Sequence, residues 1–278
     1  MNILIFTLLL LLVSALTGFL GALTGLGGGV LLVPVLTLWF HVDFHYAIGA
    51  VLVSVIATSS GAAAAYVKEG FTNIRIGMFL EIATTLGALL GAFLLTRVST
   101  QVIGIIFGLM LLFSSYLSWH SEPDVAPLAT PDPLSARLKL KGSYPTAQGQ
   151  RWYEVYRVPA GFGLMALAGA LSGLLGIGSG AMKVLAMDQV MRIPFKVSTT
   201  TSNFMIGVTA AASAGFYFKE GYISPGLAMP VMLGVLLGSM IGAKALVRMH
   251  TRILRMVFSV VIAFMAVEMI FNALTGRH

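Results

Sequence analysis

The chain has 278 residues, 58% of them hydrophobic and 10% charged, with a net charge of +7 and no cysteine. A soluble domain carries roughly 25% charged residues, so this composition excludes an ordinary soluble protein and indicates an all-α polytopic membrane protein. The missing cysteines exclude disulfides and thiolate metal sites, and the positive charge needs no nucleic acid, because cytoplasmic loops of membrane proteins are basic.

Apolar segments run over 3–24, 30–40, 46–67, 74–96 and 101–119. The first lacks a basic leading region and runs straight into a glycine cluster, so it reads as part of the fold and not as a cleaved signal. Residues 120–157 are polar and carry Pro123, Pro127, Pro131, Pro133 and Pro145. They read as a cytoplasmic linker, partly ordered by Trp152, Tyr153 and Tyr156 lying on the membrane surface. Apolar segments resume at 159–175, 181–191, 197–218, 225–247 and 252–272. The expected layout is a first membrane repeat at 1–119, the linker, and a second repeat at 158–278.

The second set repeats the first at a constant offset of 151 residues. Gly18, Gly25, Gly27 and Gly29 fall on Gly169, Gly176, Gly178 and Gly180. Tyr66, Lys68, Glu69 and Gly70 fall on Tyr217, Lys219, Glu220 and Gly221, and Gly87, Gly91 and Arg97 on Gly238, Gly242 and Arg248. Transporters are frequently built from such duplicated units.

Segments 30–40 and 181–191 are about 16 Å long as helix, too short to cross a ~30 Å hydrocarbon core. If each glycine cluster is the turn of a re-entrant hairpin, each repeat adds three full crossings, and the repeats are inverted. The positive-inside rule favours this arrangement. With both termini outside, thirteen Lys and Arg fall on the inner face against three outside (Arg97, Lys219 and Arg277), leaving out Lys183 within the hairpin. Parallel repeats would divide them nine against seven.

Inverted hairpins would bring both glycine turns toward the midplane. Gly25, Gly27, Gly28 and Gly29, with Gly176, Gly178, Ser179 and Gly180, are the candidate binding turns, because the helices that follow aim free N–H donors and a partial positive charge at a ligand. The plainer alternative is small-residue helix packing, which is the reading for Gly87/Gly91, Gly104/Gly108 and Gly234/Gly238/Gly242. Lys183 stands in the first turn of the second short helix, opposite apolar Leu32. A buried cation at a helix N-terminus needs compensation: a bound anion, an ion pair with Glu81 or Asp188, or snorkelling to the interface. Ser202 and Asn203 close the run Ser198–Asn203, whose counterpart Ala47–Leu52 is apolar; Asn203 is read either as an anion donor or as an interhelical hydrogen bond. Ser54, Thr58 and Ser59 are weaker candidates, since hydroxyls bond back to their own helix. Glu81 is the candidate for ion coupling, with pairing to a neighbouring cation as the alternative. His41, Asp43 and His45 lack a further ligand and make a poor metal site. No cofactor or metal is implied, and a homo-oligomer is allowed without being required.

The motif Leu23-Thr24-Gly25-Leu26-Gly27-Gly28-Gly29, followed by Val33-Pro34, resembles the signature of the sulfite exporter TauE/SafE family. So does its second copy, Leu174-Leu175-Gly176-Ile177-Gly178-Ser179-Gly180, and the Lys-Glu-Gly at 68–70 and 219–221 fits as well. Ser179 replaces a usual glycine, and Leu185 stands opposite Pro34. The resemblance implies a multi-pass transporter of a prokaryotic inner membrane that moves small sulfur-containing anions such as sulfite or sulfoacetate. Its partners would be that anion and membrane lipid. The expected mechanism is alternating access, ion-coupled, in the direction of export. Two other classes stay open: a passive anion channel, and an intramembrane hydrolase using Ser179. The hydrolase lacks a base, because the only later histidines are His250 and His278.

Overall fold

A computed structural model of the chain describes residues 3–24, 28–94, 98–120, 132–146, 149–175 and 180–275. Helix α1 spans Ile3–Thr24. The short α2, Gly29–Pro34, passes into a π turn at Val35–Trp39. Then come α3 (Phe44–Lys68), α4 (Ile74–Leu94) and α5 (Thr100–His120). After the linker the same sequence of elements returns. Helix α7 is Val158–Leu175, α8 is Gly180–Leu185 with a π turn at Ala186–Val190, α9 is Phe195–Lys219, α10 is Pro225–Arg248 and α11 is Thr251–Thr275.

Adding 151 carries Gly29–Trp39 onto Gly180–Val190 residue for residue. It also carries the left-handed turn residue His41 (φ 52°) onto Arg192 (φ 55°), and Gly70 (φ 75°) onto Gly221 (φ 76°). The π turns were not anticipated. They form with Pro34 in one copy and Leu185 in the other, so the missing proline N–H is not their cause.

Among the described residues, four helices are long and apolar enough to cross a membrane: Leu4–Leu23, Phe44–Gly61, Ile74–Leu94 and Pro225–Leu246. Their patterning is inside-out relative to a soluble bundle. On α4 the exposed face is Met78, Ile82, Leu86, Leu90 and Phe93, while Gly77, Glu81, Thr84, Gly87, Ala88 and Gly91 are buried. Large apolar side chains belong toward lipid, and small ones let backbones meet. A methyl added at Gly91 would overlap the Ala170 carbonyl, and one at Gly238 the Ala15 carbonyl.

These seams fix who packs on whom. Helix α1 lies along α10, with Gly234 against Leu11, Gly238 against Ala15 and Gly242 against Phe19, so the two run parallel. Helix α4 lies parallel to α7 in the same manner, Gly87 on Ala166 and Gly91 on Ala170. Helices α5 and α11, which occupy equivalent places in the two sets, run antiparallel. Gly104 meets Ala273, Gly108 meets Ile270, and the Ser115 hydroxyl donates to the Ser259 carbonyl at 2.8 Å.

The described part of the linker holds α6 (Pro133–Arg137), capped by Asp132, and two antiparallel strands, β1 (Gly142–Thr146) and β2 (Gly149–Tyr153). Its order comes from docking on protein. Leu140, Val155 and Tyr156 are buried in one cluster or beside it, and the Tyr156 N–H donates to the Met191 carbonyl at the end of the second π turn. Asn73 Nδ2 donates to the Tyr153 hydroxyl at 2.8 Å. Of the three aromatic residues assigned to the membrane surface, only Trp152 projects outward, at 72% exposed.

Candidate functional site

The polar run that opens α9 is wholly buried: Ser198, Thr199, Thr200, Thr201, Ser202 and Asn203 each have 0% exposure. In hydrocarbon every such group must find a partner inside the protein, and the partners here define where the helix breaks lie. The Ser202 hydroxyl donates to the Gly180 carbonyl at 3.3 Å, at the first residue of α8. Asn203 Nδ2 donates to the Ala22 carbonyl at 3.4 Å, near the end of α1. One turn of α9 therefore touches the flank of both glycine breaks. Apolar packing agrees: Leu23 shares a buried cluster with Val184, and Leu174 shares one with Leu31, Leu32 and Val33. Asn203 Oδ1 and Thr199 Oγ1 are buried with no hydrogen-bond partner among the described residues.

Gly28 and Gly29 are buried at the start of α2. Gly28 takes φ 75°, a conformation that side chains resist, and its carbonyl accepts from the N–H groups of Leu31 and Leu32. A methyl there would press on Thr17, Gly18 and Val235 at 3.3 Å. Gly25, Gly27, Gly176, Gly178 and Ser179 lie outside the described residues.

Lys183 projects from α8 into the bundle and is fully buried. It does not snorkel. Its ammonium donates to Thr209 Oγ1 and lies 3.8 Å from Glu81 Oε2. The Thr209 hydroxyl donates to Glu81 Oε1 at 2.6 Å, and the Thr85 hydroxyl donates to the same oxygen at 3.1 Å. Glu81 Oε2 has no hydrogen bond among the described residues. Three helices thus converge on one buried pair: α8 brings the cation, α4 the carboxylate, and α9 the hydroxyl between them. Thr209 lies near the midpoint of α9, so the pair sits deep in the bundle and not at its rim.

Thr209 was not singled out from the sequence, yet it lies seven residues beyond Ser202, two turns along the same helical face. Its counterpart in the first copy is Thr58, whose hydroxyl returns to the Ser54 carbonyl, as the Ser54 hydroxyl returns to Val51. Ser59 instead reaches across to the Phe204 carbonyl of α9 at 3.2 Å. The His45 ring stacks on Tyr222, with centroids 4.8 Å apart, and approaches Asp43 at 3.5 Å.

Long apolar helices with lipid-facing bulk, small-residue seams and polar groups turned inward define a multi-pass helical membrane protein. The family model described as Sulfite exporter TauE/SafE matches residues 10–269, and the chain belongs to that family of membrane transporters. It is 24% identical over 273 residues to the probable membrane transporter protein YunE of Bacillus subtilis (strain 168), covering 96% of this chain and 98% of that protein. It is 25% identical over 237 residues to the probable membrane transporter protein YdhB of the same organism, covering 85% and 89%. The probable membrane transporter protein MJ0441 of Methanocaldococcus jannaschii is 23% identical over 278 residues, covering 94% of each. No solved structure matches the chain significantly.

Proposed function

We propose that the chain is a carrier of small sulfur-containing anions, sulfite or organosulfonates such as sulfoacetate, in a prokaryotic inner membrane. It exports them by alternating access between two inverted repeats, one at 1–119 and one at 158–278. The observation that carries the reading is Lys183. It is a fully buried cation whose counter-charge, Glu81, stands 3.8 Å away on another helix. Such a pair is costly to bury and earns its place when it exchanges partners. A proton on Glu81 releases Lys183 to a substrate oxyanion, and loss of that proton returns the cation to the carboxylate. The Thr209 hydroxyl, which accepts from Lys183 and donates to Glu81, keeps the pair in register. Asn203 and Ser202, about two turns along α9 from Thr209, and the starts of α2 and α8 are the candidate neutral groups for the rest of the anion.

The inversion is supported by direction. Equivalent helices of copies related by an axis along the membrane normal run parallel, whereas inverted copies oppose them. Helices α5 and α11 oppose one another. Together with short helices that begin at the buried Gly29 and Gly180, this favours hairpins that enter and leave on one face, and a site near the middle of the bilayer.

The test uses purified protein in proteoliposomes, with sulfite, sulfoacetate, taurine and sulfate as solutes. Saturable, proton-dependent flux with counterflow of sulfite or sulfoacetate is expected, and Lys183→Ala should abolish binding of the transported anion. Unchanged binding in that variant removes Lys183 from the site. High single-channel conductance without counterflow makes the protein a channel.

A further inference from the structure

The face that carries the linker holds a cavity of about 530 Å³ where α4 begins. Among the described residues, three cations line it, Arg75, Lys139 and Lys141, together with the hydroxyl-bearing Thr72, Ser143 and Tyr153, and no carboxylate does. A basic membrane face is ordinary, but cations converging on a concavity are not required by that rule. Here the backbone enforces the convergence. Arg75 donates to the Lys139 carbonyl at 2.9 Å, which holds the linker turn against α4, and Lys139 itself takes φ 51°. Asn73 Oδ1 caps α4 by accepting from the Ile76 N–H at 3.0 Å, while Asn73 Nδ2 holds Tyr153. Thr72 Oγ1 is a buried polar atom with no hydrogen-bond partner among the described residues.

We propose that this cavity binds an organic oxyanion: a phosphate or sulfonate group carried on a small polar body, free in solution or as the head group of an anionic lipid. Cations supply the charge, hydroxyls the remaining donors, and the start of α4 a partial positive charge. The volume lies within the range of small-molecule sites and exceeds what a bare tetrahedral ion needs. The cavity also adjoins the buried run on α9. The Thr200 hydroxyl donates to the Phe71 carbonyl, and the Asn73 N–H donates to Thr201 Oγ1, each at 3.1 Å. An occupant would therefore bear on α9 through the turn between α3 and α4. This site stands apart from Lys183 and does not depend on the transport reading.

Two probes separate the sources. Glycerol 3-phosphate is titrated calorimetrically into full-length protein in a neutral detergent. Phosphatidylglycerol retention is read by native mass spectrometry after extraction from phosphatidylcholine discs doped with that lipid. The variants are Lys139→Gln/Lys141→Gln, the single charge reversal Lys141→Glu at an exposed position, and Arg151→Gln on β2 as a control outside the cavity lining. Affinity or retention should fall about tenfold or more in both cavity variants, since each lost cation removes a close attraction, and should be unchanged in the control. Binding of glycerol 3-phosphate assigns a soluble occupant, and retention of the lipid alone assigns a head group. If neither probe binds, or if Lys141→Glu binds as wild type does, the proposal is overturned.

Discussion

Replacing Lys183 with methionine keeps an unbranched side chain, one heavy atom shorter, and removes its charge. At 3.8 Å and an effective dielectric of about 20, the attraction lost is about 4 kcal/mol. Glu81 would keep its bonds from Thr209 and Thr85 but would be left as an uncompensated buried carboxylate. Breaking a buried pair from one side generally costs about 3–5 kcal/mol. Glu81→Gln strands the cation instead and should cost a similar amount. The double variant Lys183→Met/Glu81→Gln removes both charges of the pair and should regain most of the loss, giving a coupling energy of about 3 kcal/mol or more. Reversible denaturation in detergent measures all four proteins of the cycle, and sulfite flux measured alongside should be lost in all three variants. If the two single losses simply add in the double variant, the contact between Lys183 and Glu81 contributes no coupling, and the reading of an exchangeable pair falls with it.

Reporter fusions after residue 140 and after Thr275 should face opposite sides of the membrane; a common side would rule out inversion. Gly91→Val drives a side chain into the Ala170 carbonyl and should destabilise the bundle by about 1–3 kcal/mol in thermal unfolding. Leu90→Ala on the exposed face, by comparison, should cost little in detergent. Burial pushes the Tyr153 hydroxyl up from 10.0 to about 12, only partly offset by its bond from Asn73. The folded state holds that proton where the unfolded chain has released it, so linker docking should weaken as pH rises from about 10 to about 12. Tyrosinate absorbance compared with Tyr153→Phe reports this, and identical titrations would refute it.

The architecture was legible where physics acts locally. Glycines at four-residue spacing mark the α1–α10 and α4–α7 seams because only a missing side chain lets backbones touch, and the constant offset aligns the helices of the two halves. The charged pair was legible only in part. Lys183 advertised a need for compensation, but Glu81 and Asp188 were equal claimants until packing set α8 and α4 each on α9, with Thr209 between them. Thr209 escaped notice because a threonine in the apolar middle of α9 looks like any hydroxyl bonded to its own backbone, and its bond to Met205 is of that kind. The π turns leave no side-chain signature, as Pro34 and Leu185 illustrate. The linker strands escaped because the residues of β2 are almost all exposed, so no apolar alternation marks them.

The seams also govern the order of assembly. Helix α1 rests its small-residue flank on α10, not on a neighbour made soon after it. While the ribosome works toward Pro225, Ile3–Thr24 must wait in the bilayer without its mate, and the seam between α4 and α7 closes earlier, once Val158–Leu175 has been inserted. The two halves are woven together during biosynthesis. Severing the chain between them should therefore yield fragments that mature when co-expressed and are degraded when made alone.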